Sequence, residues 1–251
     1  MLQNPIHLRL ERLESWQHVT FMACLCERMY PNYAMFCQQT GFGDGQIYRR
    51  ILDLIWETLT VKDAKVNFDS QLEKFEEAIP SADDFDLYGV YPAIDACVAL
   101  SELVHSRLSG ETLEHAVEVS KTSITTVAML EMTQAGREMS DEELKENPAV
   151  EQEWDIQWEI FRLLAECEER DIELIKGLRA DLREAGESNI GIIFSNKTRK
   201  RDLTPDLSYL ESSLSPPVWS TFGGRKKVAI GACMQESAIL AFPSHSMLSK
   251  R

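Results

Sequence analysis

From Leu8 to Leu182 the apolar residues recur at three- and four-residue spacing, and wherever the rhythm breaks a helix-starting or helix-stopping residue stands at the break. Ile47, Tyr48, Ile51, Leu54, Ile55, Trp56 and Leu59 make one such series, and Trp154, Trp158, Phe161, Leu164, Ile172, Ile175, Leu178 and Leu182 make another. That spacing places the apolar side chains on one face of an α-helix. No convincing strand precedes Asn189. The reading is all-α: a single bundle-like domain of about seven or eight helices, whose short connections make neighbours antiparallel.

The punctuation sets the expected boundaries. Asn4-Pro5 starts a first helix, with a cap residue followed by proline in the first turn. A second runs from Glu14 to about Met29. Pro31 closes it and can begin the next, which carries Tyr33, Met35, Phe36 and Cys37. Gly41-Phe42-Gly43-Asp44-Gly45 is a breaker. Asp69 or Ser70 caps a short helix stopped by Pro80, and an acidic loop, Ser81 to Asp86, follows. Tyr91-Pro92 opens a helix that Gly110 ends. Another spans Glu111 to about Met139; its middle, Ser120 to Leu130, holds one charge and is expected to be the most buried stretch. Ser140-Asp141-Glu142-Glu143 reads as an N-cap with an acidic first turn, and Asn147-Pro148 repeats the device. One long helix then reaches about Ala185, where Gly186 stops it.

The chain has two parts of opposite charge. Of its 26 basic and 41 acidic residues, 9 and 4 lie in 195–251, so that segment carries +5 and residues 1–194 carry -20. So negative a body repels phosphate backbones and anionic membrane surfaces, which argues against nucleic acid and membrane as its partners and favours protein. Segment 195–251 holds ten serines and four prolines, with the basic clusters Lys197, Arg199, Lys200, Arg201 and Arg225, Lys226, Lys227, and sustains no period. It is expected to be largely disordered. Its basic clusters suit weak contact with nucleic acid, or, preferably, a salt-sensitive contact with the acidic body.

The N-terminus lacks the basic and apolar regions of a signal peptide, and no apolar run approaches the ~18–20 residues that span a bilayer. The six cysteines form no CxxC pair. Both features point to a cytoplasmic protein with buried, reduced thiols.

Three stretches carry a likeness: Gly41-Phe42-Gly43-Asp44-Gly45, the run Tyr88-Gly89-Val90-Tyr91-Pro92-Ala93-Ile94-Asp95-Ala96-Cys97, and the closing Glu187-Ser188-Asn189-Ile190-Gly191-Ile192. Through them the chain resembles the YjaG-like family of bacterial proteins, a domain of unknown function, over about residues 1–194; segment 195–251 lies outside the resemblance. The likeness implies an all-helical fold, a cytoplasmic bacterial setting and, by gene neighbourhood, a link to histidine-kinase signalling. It supplies no catalytic residues. The tail can be a natural extension, a reading-frame scar or translation past the usual stop.

Four sets of residues invite chemistry. Asp83, Asp84 and Asp86 alternate in a loop as calcium ligands do, but the twelve-residue EF-hand register is absent. With Tyr88, Tyr91 and Asp95 they form the best candidate binding surface, since loop carboxylates beside tyrosines suit recognition; the bland reading is that the tyrosines pack and the aspartates cap. Glu102 and His105 are spaced as in di-iron bundles, yet the second such motif that the chemistry requires is missing, and Glu14/His18 and Glu111/His115 are four apart. Gly43 and Gly45 with Arg49 and Arg50 could hold an anion at a helix start, but no strand precedes the loop and no P-loop lysine follows, so a C-cap and tight turn, with Asp44 or Gly45 starting the next helix, is favoured. No Ser/His/Asp set or GxSxG motif exists. No cofactor is implied. The leading reading is a non-enzymatic protein-interaction module, with a metal- or small-molecule-binding enzyme, using Asp83–Asp95 and Glu102/His105, as the alternative.

Overall fold

In a computed structural model of the chain, which describes residues 5–194, the apolar series become nine α-helices with no strand among the described residues. They are α1 (Ile6–Arg9), α2 (Ser15–Thr40), α3 (Gly45–Thr60), α4 (Phe68–Glu76), α5 (Val90–Ser109), α6 (Leu113–Ala135), α7 (Asp141–Lys145), α8 (Pro148–Ala165) and α9 (Ile172–Ala185). Short 3-10 turns occupy Leu10–Arg12 and Ala82–Asp84. The expected cap at Asn4 and everything expected of 195–251 lie outside the described residues. No helix among them is long and apolar enough to cross a membrane.

The local signals act as read at many boundaries. Gly41, Gly110 and Gly186 adopt the left-handed conformation at the ends of α2, α5 and α9, as a C-cap requires. Asp44 caps α3 by accepting from the Gln46 amide at 2.9 Å. Ser140 and Glu143 exchange hydrogen bonds as a capping box, and Asn147 caps α8 ahead of Pro148.

Five expectations need correction. Pro31 does not end a helix: α2 continues through it to Thr40. An interior proline forfeits a backbone bond and costs about 3 kcal/mol in isolation. Here α2 lies against α3, α5, α6, α8 and α9, and this surrounding packing holds both halves in line. For the same reason α2, not the middle of α6, is the most buried helix; Thr125 and Met129 of α6 face solvent. The long final helix is two helices. Asp171 restarts the chain by accepting from the Glu173 and Leu174 amides, because α8 packs on α6 and α2 whereas α9 packs on α2 and α3. Finally, α4 is capped by Asn67 rather than Asp69 or Ser70, and α6 stops at Gly136 rather than near Met139.

The main core gathers Phe21, Met22, Leu25 and Met29 of α2 with Tyr48, Ile51, Ile55 and Trp56 of α3 and Leu100, Leu103 and Val104 of α5. A smaller cluster, Ile124, Val127, Leu130, Leu144, Val150 and Ile190, closes the far end of α6 and α8. Each large side chain so buried contributes roughly 1.5–3 kcal/mol. The segment after α9 folds back on itself: Ser188 N donates to Ile192 O at 2.9 Å, and Phe194 N to Gly186 O at 3.0 Å. This turn drives the Asn189 amide inward, where Nδ2 donates to Ser123 O at 3.1 Å and Oδ1 accepts from Asn32 at 2.9 Å. Gly191 makes the turn at φ +76°, a value that side chains disfavour.

Candidate functional site

The loop before α5 and the antiparallel pair α5–α6 build the face on which most of the expected residues meet. Phe85 anchors the loop, its ring edge-on to Phe36 at 4.9 Å and to Phe42 at 5.4 Å. That leaves Asp83, Asp84 and Asp86 exposed on either side of the anchor, with no ion pair to any of them among the described residues. They do not act as the caps considered for them; Ser81 caps the turn instead.

Tyr88 and Tyr91 follow, their ring centroids 5.9 Å apart. Tyr88 packs on the smaller core cluster, with Thr133 at its phenol, while Tyr91 stays 54% exposed. Asp95 lies one turn beyond Tyr91, and its Oδ2 accepts from Thr126 Oγ1 of α6 at 2.8 Å. Burial raises this carboxyl above the usual aspartate range, and the Thr126 hydroxyl partly holds it back. Val98, a further turn along, is 40% exposed, and Met129 on α6 is 47% exposed. Met129, Met132 and Met139 line a recess of about 460 Å³ next to Thr133. The face therefore presents a tyrosine, a valine and methionines around one half-buried carboxylate, with three free aspartates at its entry.

The other candidates are placed differently. Glu102 does not bond His105. Its Oε2 accepts from His115 Nδ1 of α6 at 2.6 Å, while His105 Nδ1 donates to Ser101 O of its own helix at 2.9 Å. The two imidazoles lie nearly parallel with centroids 6.4 Å apart. Among the described residues no group of three or more His, Cys, Asp or Glu side chains is arranged to hold a metal ion. Arg49 donates to Glu27 Oε2 at 2.5 Å and lies over the Tyr30 ring at 3.9 Å. Arg50 donates to Asp44 at 2.8 Å, and this contact, with the Gln46 amide, lowers the Asp44 carboxyl. Gly43 takes φ +60° beside the Tyr33 hydroxyl, and Gly45 opens α3 against Cys37. The turn joins α2 to α3 as favoured, and both arginines beside it already hold carboxylates.

Sequence reasoning passed over the charged pair Glu27-Arg28 in the middle of α2. Glu27 is buried and accepts from Trp56 Nε1 at 2.8 Å, from Arg183 Nη2 at 2.7 Å and from Arg49, which ties α2 to α3 and α9. Arg28, about 100° further round the helix, faces Glu153 of α8 instead. Glu153 also accepts from Ser123 Oγ at 2.7 Å and from Gln157 at 3.1 Å. The available signal was two opposite charges side by side within an otherwise apolar run, Val19 to Tyr30. A helix buried on all sides must pair both.

A family model described as "Protein of unknown function (DUF416)" matches residues 5–193. The chain is 95% identical over 194 residues to the "Uncharacterized protein YjaG" of Salmonella typhimurium, an alignment covering 77% of this chain and 99% of that protein. It is 55% identical over 194 residues to an uncharacterised protein of Haemophilus influenzae, with the same coverage of 77% and 99%. The crystal structure of a DUF416 family protein from Shewanella baltica shares the fold with a TM-score of 0.72 and 36% identity, covering 76% of this chain and all (100%) of that one.

Proposed function

Because the chain belongs to the DUF416 family, we propose that the shared helical domain is a non-enzymatic protein-interaction module that holds a basic amphipathic segment of a partner protein along the α5–α6 face. The observation that carries this reading is the pairing of exposed Tyr91, Val98 and Met129 with carboxylates that no basic side chain of the described residues neutralises: Asp83, Asp84, Asp86 and Asp95. An apolar stripe two helical turns long suits the hydrophobic side of a bound helix. Methionines adapt to an incoming surface, and the acidic entry selects lysine and arginine on the partner. The -20 of the body adds long-range attraction for a basic segment. The link to histidine-kinase signalling rests on the family resemblance alone, and no feature of this face bears on it.

The test is titration of the full chain with a synthetic peptide bearing lysines on one helical face and leucines on the other, beside a scrambled peptide of equal composition. The patterned peptide is expected to bind at least about ten-fold more tightly, to weaken as salt rises, and to lose binding on Met129→Glu. Equal binding of the two peptides overturns the reading. So does stoichiometric metal on protein purified without chelator, if it is lost on His105→Ala; that result supports the enzyme instead.

A further inference from the structure

At the opposite end of α5 a recess of about 630 Å³ opens between the start of α2, the end of α3 and the segment joining α8 to α9. Two guanidiniums, Arg107 and Arg170, line it. Of the other described arginines, Arg28, Arg49, Arg50, Arg137, Arg162, Arg179 and Arg183 each hold a carboxylate within 4 Å, while Arg9 and Arg12 stand exposed at the start of the chain. Arg107 and Arg170 hold none, although the body is strongly acidic. Arg170 is held in position by its bond to Thr58 O at 2.7 Å. Arg107, an exposed residue, has no hydrogen-bond partner among the described residues; partial desolvation in the recess, with repulsion from Arg170, pushes its guanidinium down from the ordinary arginine range.

The one carboxylate of the lining, Glu14, makes no ion pair with either arginine. Glu14 is turned to the Trp16 indole at 3.0 Å and to the amide of Gln17 as part of the α2 capping box. His18 uses both ring nitrogens, one on Leu10 O at 2.7 Å and one on Thr112 Oγ1 at 2.9 Å. The rest of the wall is Leu13, Trp16 and Leu59, with Ser15 and with Thr58, whose hydroxyl donates to Ile55 O. Two like charges facing one partly apolar space, neither of them in an ion pair, leave a site that a ligand anion completes.

We infer that this recess binds a small organic anion, a carboxylate or phosphate carried on an apolar body, clamped by Arg107 and Arg170. The inference is independent of the α5–α6 face, which lies at the other end of the helix.

Calorimetric titration of the full chain with phenyl phosphate, benzoate and phenol tests it. At least one of the two anions is expected to bind with one-to-one stoichiometry, and which one binds better tells phosphate from carboxylate. Phenol should bind at least about ten-fold more weakly, and Arg107→Gln and Arg170→Gln should each weaken the anion by about ten-fold or more. Absence of binding by both anions overturns the site, as does equal binding of phenol or unchanged binding in both variants. Both positions are exposed, and should Arg107→Gln nevertheless fail to fold, Arg170→Gln decides the matter alone.

Discussion

Arg28 donates through Nη2 to Glu153 Oε2 at 2.7 Å, with the two side chains only 8% and 1% exposed, and so α2 and α8 are joined by an ion pair inside the bundle. Such a pair gains little over well-packed apolar residues, but half of it alone is costly, because the surviving charge stays buried. Glu153→Ala is therefore expected to lower unfolding free energy by roughly 3–5 kcal/mol in urea titration. The double change Arg28→Met with Glu153→Leu is expected to recover most of that loss. A double variant as weak as the single one would show that Ser123 and Gln157, which also bond Glu153, hold the bundle more than the ion pair does.

His18 makes stability depend on pH. Burial holds its imidazole below the ordinary 6.5, against a smaller opposing pull from the Leu10 carbonyl. The unfolded chain takes up a proton near pH 6.5 whereas the folded chain does so only at lower pH. Its contribution is thus fully present above pH 6.5 and is lost as pH falls below that value. His7, held down by burial and by Lys121, acts with the same sign. The urea midpoint should fall between pH 7 and pH 5, and His18→Gln should flatten that slope without removing it. A slope unchanged by the substitution would place the effect elsewhere.

Asp95 opposes stability at neutral pH, because its carboxyl is raised from the ordinary 3.8 by burial. Its favourable share is present below 3.8 and lost as pH rises through the folded value. Asp95→Asn is expected to raise the urea midpoint at pH 7 and yet weaken the basic peptide. A stabilised variant with undiminished peptide binding would remove Asp95 from the interaction face.

Tyr91 supplies a cleaner separation of binding from folding. At 54% exposure it adds little to the core, so Tyr91→Ala should change stability by less than about 0.5 kcal/mol. Loss of an aromatic anchor should weaken the peptide by about ten-fold. Stability and binding falling together would mark Tyr91 as structural.

Thiol reactivity reports on the core. Burial pushes Cys24 and Cys97 well above the ordinary thiol value, and Cys26 likewise, whereas Cys167 is only half-buried. In a Cys233→Ser background, Cys167 should react first with a disulfide reagent. Cys24, Cys26 and Cys97 should react only on unfolding. Early labelling of Cys24 or Cys97 would reveal local opening of α2 or α5.

Much of this was legible because it is local. Asp44, Ser140 and Asn147-Pro148 start helices through bonds reaching two or three residues, and Gly110 and Gly186 end them by a conformation of their own. The same arithmetic of turns puts Tyr91, Asp95 and Val98 on one face of α5. Met129 could not be set opposite them from spacing alone, since the register of α5 on α6 is revealed by the Asp95–Thr126 bond. Likewise spacing sets Glu102 beside His105, three residues away, whereas its partner is His115 across the helix pair.

The amino-acid order by itself determined that residues 5–194 are helical, where most helices begin and end, and that the body is acidic, since periodicity, capping and charge act over a few residues. Only the tertiary structure decided that α2 runs straight through Pro31, that α8 and α9 part at Asp171, and that Arg107 meets Arg170 across a recess. Those outcomes depend on which helices surround a segment. Packing contacts between residues far apart in the chain outweigh a local preference of a few kcal/mol.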